Sequence, residues 1–226
     1  MRYYPLFLDL SRARVLLAGA GEVGRRKAGD ILAAGPASLL WLDPAVDARD
    51  LPEALRLHPA VEYARREAVP EDAEGCALVF AASGSAGANH RLALFCRERG
   101  IPCNVADAPE EGDFIVPSHF HDGAFALALS TGGQSPALAR IMRRELQAWY
   151  AEHYRPLLLL LGRLRQPALA EGNDAGSNRD LFRAVAGSGL GAALRRKDGA
   201  AAGRILREIL PETLHKHIED LLHGLY

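Results

Sequence analysis

The chain lacks an excess of either charge. Its 226 residues carry 27 Lys+Arg against 28 Asp+Glu, a formal charge of −1. Nucleic-acid binders usually need a basic excess to neutralise phosphates, so that class is disfavoured. Cysteine is scarce as well: Cys76, Cys96 and Cys103 form neither a C-x-x-C pair nor an even set. Such a count reads as reduced thiols in a cytoplasmic protein rather than a disulfide framework. Long apolar runs are missing. The longest aliphatic stretch, Leu157 to Leu161, is five residues, whereas a membrane span needs about 20. Pro5 and Asp9 interrupt the first residues, so no signal-peptide core is expected there. Repeats, low-complexity tracts, a G-x-S-x-G elbow and a P-loop lysine are absent, which disfavours hydrolase and NTPase chemistry. His119 and His121, and His215 and His217, have no cysteine or carboxylate at ligand spacing, so no permanent metal site is expected.

What is present is an ordinary globular composition, 49% hydrophobic and 24% charged. A chain of this length buries roughly 70% of its unfolded surface and needs no covalent staple. Val15 to Ala18 is a short apolar run fitting a buried parallel strand. Val23, Ala28, Ile31 and Leu32 then take helical spacing, which Gly35-Pro36 stops, and Ser38 to Leu42 is a second strand. The alternation continues with a helix over Leu51 to Leu57 and strands over Val61 to Ala64 and Ala77 to Ala82. A helix over Asn89 to Arg99 and a strand over Pro102 to Ala106 follow. That rhythm predicts a doubly wound parallel sheet of the Rossmann type.

After Asp107 the rhythm breaks. Phe114 to Val116 and Ala124 to Ser130 read as two strands around a His-Asp-Gly turn. Ser135 is a good N-cap, and Pro136 suits the first position of the next helix. From Leu157 the periodicity is helical, broken by the polar loop Glu171 to Asn178, and predicts three or four helices. The expected division is a dinucleotide-binding domain over 1–113, a small α+β domain over 114–150 and a helical region over 151–226.

Three features carry chemistry. Gly19-Ala20-Gly21-Glu22-Val23-Gly24 is a G-x-G-x-x-G between a strand and a helix. Its glycines permit a tight turn, close approach of backbone to a pyrophosphate, and close helix–strand packing. Asp43 lies 19 residues beyond Gly24. A carboxylate there accepts from a ribose diol and repels a 2′-phosphate, which favours NAD over NADP. Asp107 ends a strand, where a carboxylate could take a proton while a hydride leaves, or simply cap a turn. Ser130, Thr131, Gly132, Gly133 and Ser135 open a helix carrying Arg140, Arg143 and Arg144. That segment is either an anion site or a solvated helix face.

Several segments in order, PLFLDL, VLLAGAGEVGRRKA, LVFAASGSAGANH, CNVADAP, DFIVPS and LALSTGGQSPALARIMRREL, resemble precorrin-2 dehydrogenase. The same unit forms the N-terminal part of siroheme synthases. The resemblance covers about residues 3 to 150; N-V-x-D-x-P and S-T-G-G-x-S-P are its specific motifs. It implies a cytoplasmic homodimer that oxidises precorrin-2 to sirohydrochlorin with NAD+, the 114–150 region being a dimerisation domain. It implies that Asp107 is the essential aspartate, a candidate general base. Glu22, Val23, Asp43 and Pro44, with Ala82 and Ser83, are implied to contact NAD. Asn104 and the Ser130–Ser135 loop, with Arg140 and Arg144, would hold the polycarboxylate substrate. Some relatives also insert ferrous iron, so a bifunctional ferrochelatase is one alternative and a non-catalytic NAD- or tetrapyrrole-binding module another. No methyltransferase segment is visible, so methylation of the precursor is expected from another protein.

Charge by segment fits that expectation. Residues 43–75 hold nine acids and four bases, a net of −5. Residues 137–165 hold six bases and two acids, a net of +4. The near-neutral total is a sum of opposed patches.

Overall fold

A computed structural model describes residues 3–172 and 174–225. Asn173, inside the expected polar loop, lies outside the described residues. The chain divides into two compact units, 1–116 and 117–226.

The first unit is built on five parallel strands: β1 (Arg14–Ala18), β2 (Ser38–Leu42), β3 (Val61–Ala64), β4 (Leu78–Ala81) and β5 (Cys103–Val105). Their order is β3-β2-β1-β4-β5. Successive side chains alternate between faces, and here both faces are covered, which is why the strands read as unbroken apolar runs. Val15, Leu17, Leu39, Trp41 and Phe80 belong to one core, together with Ala28 and Ile31 of α1 (Glu22–Ala33). Leu16, Leu40, Leu42, Val79 and Ala81 belong to the other, with Leu92, Ala93 and Cys96 of α3 (Ala86–Arg99). Each fully buried aliphatic side chain contributes roughly 1.5–3 kcal/mol, so this sandwich is the rigid part of the unit. The expected helix around residue 54 is a single turn, α2 (Glu53–Arg56).

Helices α1 and α3 depart from expectation. On α1, Val23 is exposed, and Lys27 takes a place on the buried face instead. α3 begins three residues before Asn89, because the Ser85 hydroxyl accepts the Ala88 N–H and starts the helix there.

The second unit opens with an antiparallel hairpin, β6 (Ser118–Asp122) and β7 (Phe125–Leu129). The expected strand over Phe114–Val116 does not form. Phe114 instead sets its ring edge-on against Phe80, centroids 5.4 Å apart, and its carbonyl accepts from Asn104. The pairing strand is the polar-looking Ser-His-Phe-His-Asp, in which Phe120 alone is buried. Its turn is Gly123-Ala124 rather than His-Asp-Gly, with Gly123 at φ +58°, a value glycine reaches without strain. α4 (Pro136–His153) packs on the hairpin through Tyr150, whose ring stacks on Phe125 at 3.8 Å.

Among the described residues five further helices follow where three or four are expected: α5 (Arg155–Ala170), α6 (Ala175–Gly187), α7 (Leu190–Arg195), α8 (Gly199–Ile209) and α9 (Ile218–Leu222). The surplus comes from α7 and α9, which are two turns or less. The helices share one aliphatic core that includes Leu160, Leu164, Val185, Leu190, Leu206, Leu214 and Leu221. Among the described residues, no helix is long and apolar enough to cross a membrane.

Candidate dinucleotide and proton-transfer site

The chain leaves β1, passes through α1 to β2 and β3, then returns to the opposite side of β1 as β4. The strand order therefore reverses between β1 and β4, and a crevice at their carboxyl ends is the ligand position in open sheets of this kind. The glycine loop, the 82–85 turn and Asp107 follow β1, β4 and β5 at this end.

The three glycines of the loop are needed for different reasons. Gly19 has φ +109°, and a Cβ there would lie 2.1 Å from the Ala82 carbonyl oxygen. A Cβ on Gly24 would lie 2.1 Å from the Gly19 oxygen. Gly21, the N-cap of α1, would meet nothing within 4 Å. Two glycines thus permit protein to touch protein, and the middle one leaves open space at a helix N-terminus, where a pyrophosphate can approach free N–H groups. The residues present fit a dinucleotide.

The loop is also pinned from below. Gly19 N–H donates to the Leu42 carbonyl at 2.7 Å, and the Trp41 indole donates to the Gly19 carbonyl at 2.8 Å. Asp43, buried at the end of β2, accepts from Ala20 N–H at 2.6 Å through Oδ2 and from Ala45 and Val46 N–H at 2.8 and 2.9 Å through Oδ1. Burial pushes its pKa up, but these amides and nearby Arg25 outweigh it and hold the carboxyl below the usual range. With about four lone-pair positions on a carboxylate, one remains on Oδ2 for a ribose hydroxyl. Asp43 therefore shapes the loop. Pro44 and Glu22 are exposed beside it.

Asp107 is exposed on the turn after β5. Its Oδ1 accepts from Asn89 Nδ2 at 3.0 Å, and its Oδ2 has no partner among the described residues. One oxygen is held and the other is free to take a proton, the geometry a general base requires. Ala82 and Ser83 are half-buried where the Gly19 backbone packs against them.

Asn104 is placed differently from a surface ligand group. It is buried beneath α1, accepting from Lys27 Nζ at 2.7 Å and donating to the Phe114 carbonyl at 2.9 Å. Lys27 also lies over the Phe80 ring, and burial lowers its pKa. This network ties the chain after β5 onto the sheet.

The remaining candidates belong to the second unit. Ser130 Oγ accepts Gly132 N–H at 3.1 Å, Thr131 Oγ1 accepts Ser135 N–H at 3.2 Å, and Ser135 Oγ accepts Leu138 N–H at 3.2 Å. Gly132 and Gly133, at φ +63° and +86°, complete the loop. Arg143 donates to Gln147 at 3.2 Å, whereas Arg140 and Arg144 are exposed and have no hydrogen-bond or ion-pair partner among the described residues. An apolar cavity of about 410 Å³ in this unit is lined by Phe125, Leu127, Leu146, Trp149 and Leu157 among others. Its lining includes no carboxylate, histidine or cation, and its titratable groups are the phenols of Tyr150 and Tyr154. Among the described residues, no group of three or more His, Cys, Asp or Glu is placed to hold a metal ion.

Comparison with known proteins agrees with this geometry. A family described as NAD(P)-binding matches residues 6–118, half of the chain, and one described as sirohaem biosynthesis protein central matches residues 122–148. Siroheme synthase 1 of Aeromonas salmonicida (strain A449) is 34% identical over 227 residues, 99% of this chain and 47% of that protein. Siroheme synthase 1 of Halorhodospira halophila (strain DSM 244 / SL1) is 36% identical over 167 residues, 74% of this chain and 34% of its own length. The chain spans about half or less of the curated relatives it matches. Among solved structures, SirC, precorrin-2 dehydrogenase, has the same fold with a TM-score of 0.72 at 21% identity, over 92% of this chain and 98% of that one.

Proposed function

The chain belongs to the NAD(P)-binding family, with a sirohaem biosynthesis central region after it, and from that premise we propose that it oxidises precorrin-2 to sirohydrochlorin with NAD+. The observation that carries this reading is Asp107. Its carboxylate stands at the carboxyl edge of the sheet that also bears the Gly19–Gly24 loop, with one oxygen anchored and one open.

NAD+ bound at the loop supplies the hydride acceptor. The N–H groups at the start of α1 would hold its pyrophosphate. The negative charge of Asp43 supports NAD over its 2′-phosphorylated form, and Glu22, Val23, Pro44, Ala82 and Ser83 border the same loop. Asp107 Oδ2 takes the proton lost from the substrate as the C–H hydride departs. Removing both as hydride and proton balances the two-electron oxidation. Arg140 and Arg144, with the Ser130–Ser135 loop, would meet the substrate carboxylates; their lack of partners among the described residues supports that role. Asn104 serves by tying down the chain beyond Asp107.

We read the protein as a homodimer. α4 leaves Leu138, Ile141, Met142 and Trp149 exposed, an apolar set that a second copy would cover. The hairpin and α4 would be the dimerisation part of the second unit and α5–α9 its helical remainder. Three free buried thiols support a cytoplasmic, reducing location.

The test is an assay with precorrin-2 and NAD+, followed by sirohydrochlorin absorbance. Turnover with NAD+ exceeding that with NADP+ is expected, and no turnover with either defeats the reading. Adding Fe2+ or Co2+ to sirohydrochlorin in the same protein decides whether a chelatase activity accompanies it.

A further inference from the structure

Asn89 has no role in the reading above, yet its amide is 1% exposed and uses all four of its hydrogen-bonding positions. Oδ1 accepts from the Ser83 backbone N–H at 3.2 Å and from the Ser83 hydroxyl at 2.7 Å. Nδ2 donates to the Ser83 carbonyl at 3.1 Å and to Asp107 Oδ1 at 3.0 Å. Turning the amide over would set its N–H groups against the Ser83 N–H and its oxygen against two acceptors. Its orientation is therefore fixed by its partners. Ser83 is in turn fixed by the glycine loop: a Cβ on Gly19 would reach Ser83 N at 2.8 Å and the Ala82 oxygen at 2.1 Å. A continuous line of contacts thus runs from the dinucleotide loop through Ser83 and Asn89 to the carboxylate.

We propose that Asn89 is a positioning residue that holds Asp107 at a fixed place relative to the dinucleotide loop. This rests on the reading of Asp107 as the proton acceptor. Asp107 is on an exposed turn, and among the described residues the bond from Asn89 is the one side-chain hydrogen bond that restrains it. Without that bond the carboxylate samples several rotamers, and a displacement of about 1 Å from a productive geometry can cost on the order of 10²-fold in rate. Asn89→Asp keeps the shape and both acceptor contacts to Ser83, but sets a carboxyl oxygen against the Ser83 carbonyl and Asp107 in place of the donating amide. Two carboxylates sharing a site titrate as a pair, the upper step raised.

The experiment uses the full chain in three forms: wild type, Asn89→Ala and Asn89→Asp. First, 13C-carboxyl aspartate signals are titrated without substrate, Asp107 being assigned from Asp107→Asn. In Asn89→Asp the two facing carboxyls should titrate as a coupled pair, giving a raised carboxyl transition that wild type lacks and that falls by about 1 pH unit or more when Asp107→Asn is added. A transition that Asp107→Asn leaves unmoved overturns the proposal, whether or not the protein is a dehydrogenase. Second, turnover of precorrin-2 is followed against pH. Asn89→Ala should lower kcat about 10- to 100-fold with the KM for NAD+ within about twofold, and Asn89→Asp should add the raised transition of the pair to the pH profile. An unchanged kcat in Asn89→Ala also overturns it. Wild type that does not turn over defeats the dehydrogenase reading alone, because the titration still decides whether Asn89 holds Asp107.

Discussion

The two units hold their polar groups in opposite ways. At the sheet edge of the first, Asp43, Asn89 and Asn104 are buried, and each is tied to backbone or to another side chain by two or more hydrogen bonds. At the start of α4 in the second, the loop is held by local bonds, and Arg140 and Arg144 are exposed without a partner among the described residues. A geometry needed for hydride and proton transfer has to be preorganised, whereas a clamp for a polycarboxylate can be completed by the ligand itself. Stability and chemistry should therefore respond together in the first unit and separately in the second.

The largest effect expected is on turnover. Asp107→Ala should lower kcat by about 10²- to 10⁴-fold, the range for a general base, while NAD+ affinity measured by calorimetry stays within about twofold. Activity near wild type would remove Asp107 from the chemistry. Next comes Gly19→Ala, which forces φ +109° on a residue with a Cβ and drives that Cβ into the Ala82 carbonyl. The strained backbone alone costs about 1–3 kcal/mol, visible as a lower urea midpoint, and dinucleotide binding should fall with it. If stability were untouched, the loop would be looser than its contacts imply.

Asp43→Asn tests the same rigidity through pH. The folded carboxyl sits below its ordinary value, so its contribution is full above about pH 4, the unfolded pKa, and lost as pH falls through the folded one. The gap between wild type and variant, about 1–3 kcal/mol for buried bonds to a charge, should be present at pH 7 and shrink below about pH 4. A gap independent of pH would mean that charge is not what Asp43 supplies. The smallest effect should come from the second unit. Arg140→Gln and Arg144→Gln should each raise the KM for precorrin-2 by about tenfold, with the melting temperature unchanged within about 1 °C. A fall in stability comparable to that of Gly19→Ala would abolish the contrast between the units.

Structure is legible in the sequence where local chemistry and topology agree. The buried strands were visible as apolar runs, and the G-x-G-x-x-G loop was visible because the glycines occur between a strand and a helix. Ser135 caps α4 as its position before Pro136 suggested. Asn89 was hidden, because an amide in Ala-Gly-Ala-Asn-His looks like an ordinary polar helix residue. Its partners, 6 and 18 residues away, are assembled only when β4 pairs with β5. Asn104 is a ligand group only by the family resemblance, through the N-V-x-D-x-P motif. Strand alternation sends it to the face beneath α1, where buried Lys27 is its partner. β6 was hidden for a different reason: two histidines on its outward face disguised a strand whose one buried side chain is Phe120, while Phe-Ile-Val upstream offered a better β-like composition but no strand to pair with.

The indole bond to the glycine loop has an optical consequence. The chain has two tryptophans, one in each unit. Trp41 is fully buried with its N–H on the Gly19 carbonyl, and Trp149 is 50% exposed on α4. A blue-emitting, quencher-protected fluorophore and a red-emitting, quencher-accessible one therefore report separately on cofactor docking and on whatever covers α4. Each half of the molecule carries a native spectroscopic label, and Trp41→Phe or Trp149→Phe isolates the other signal.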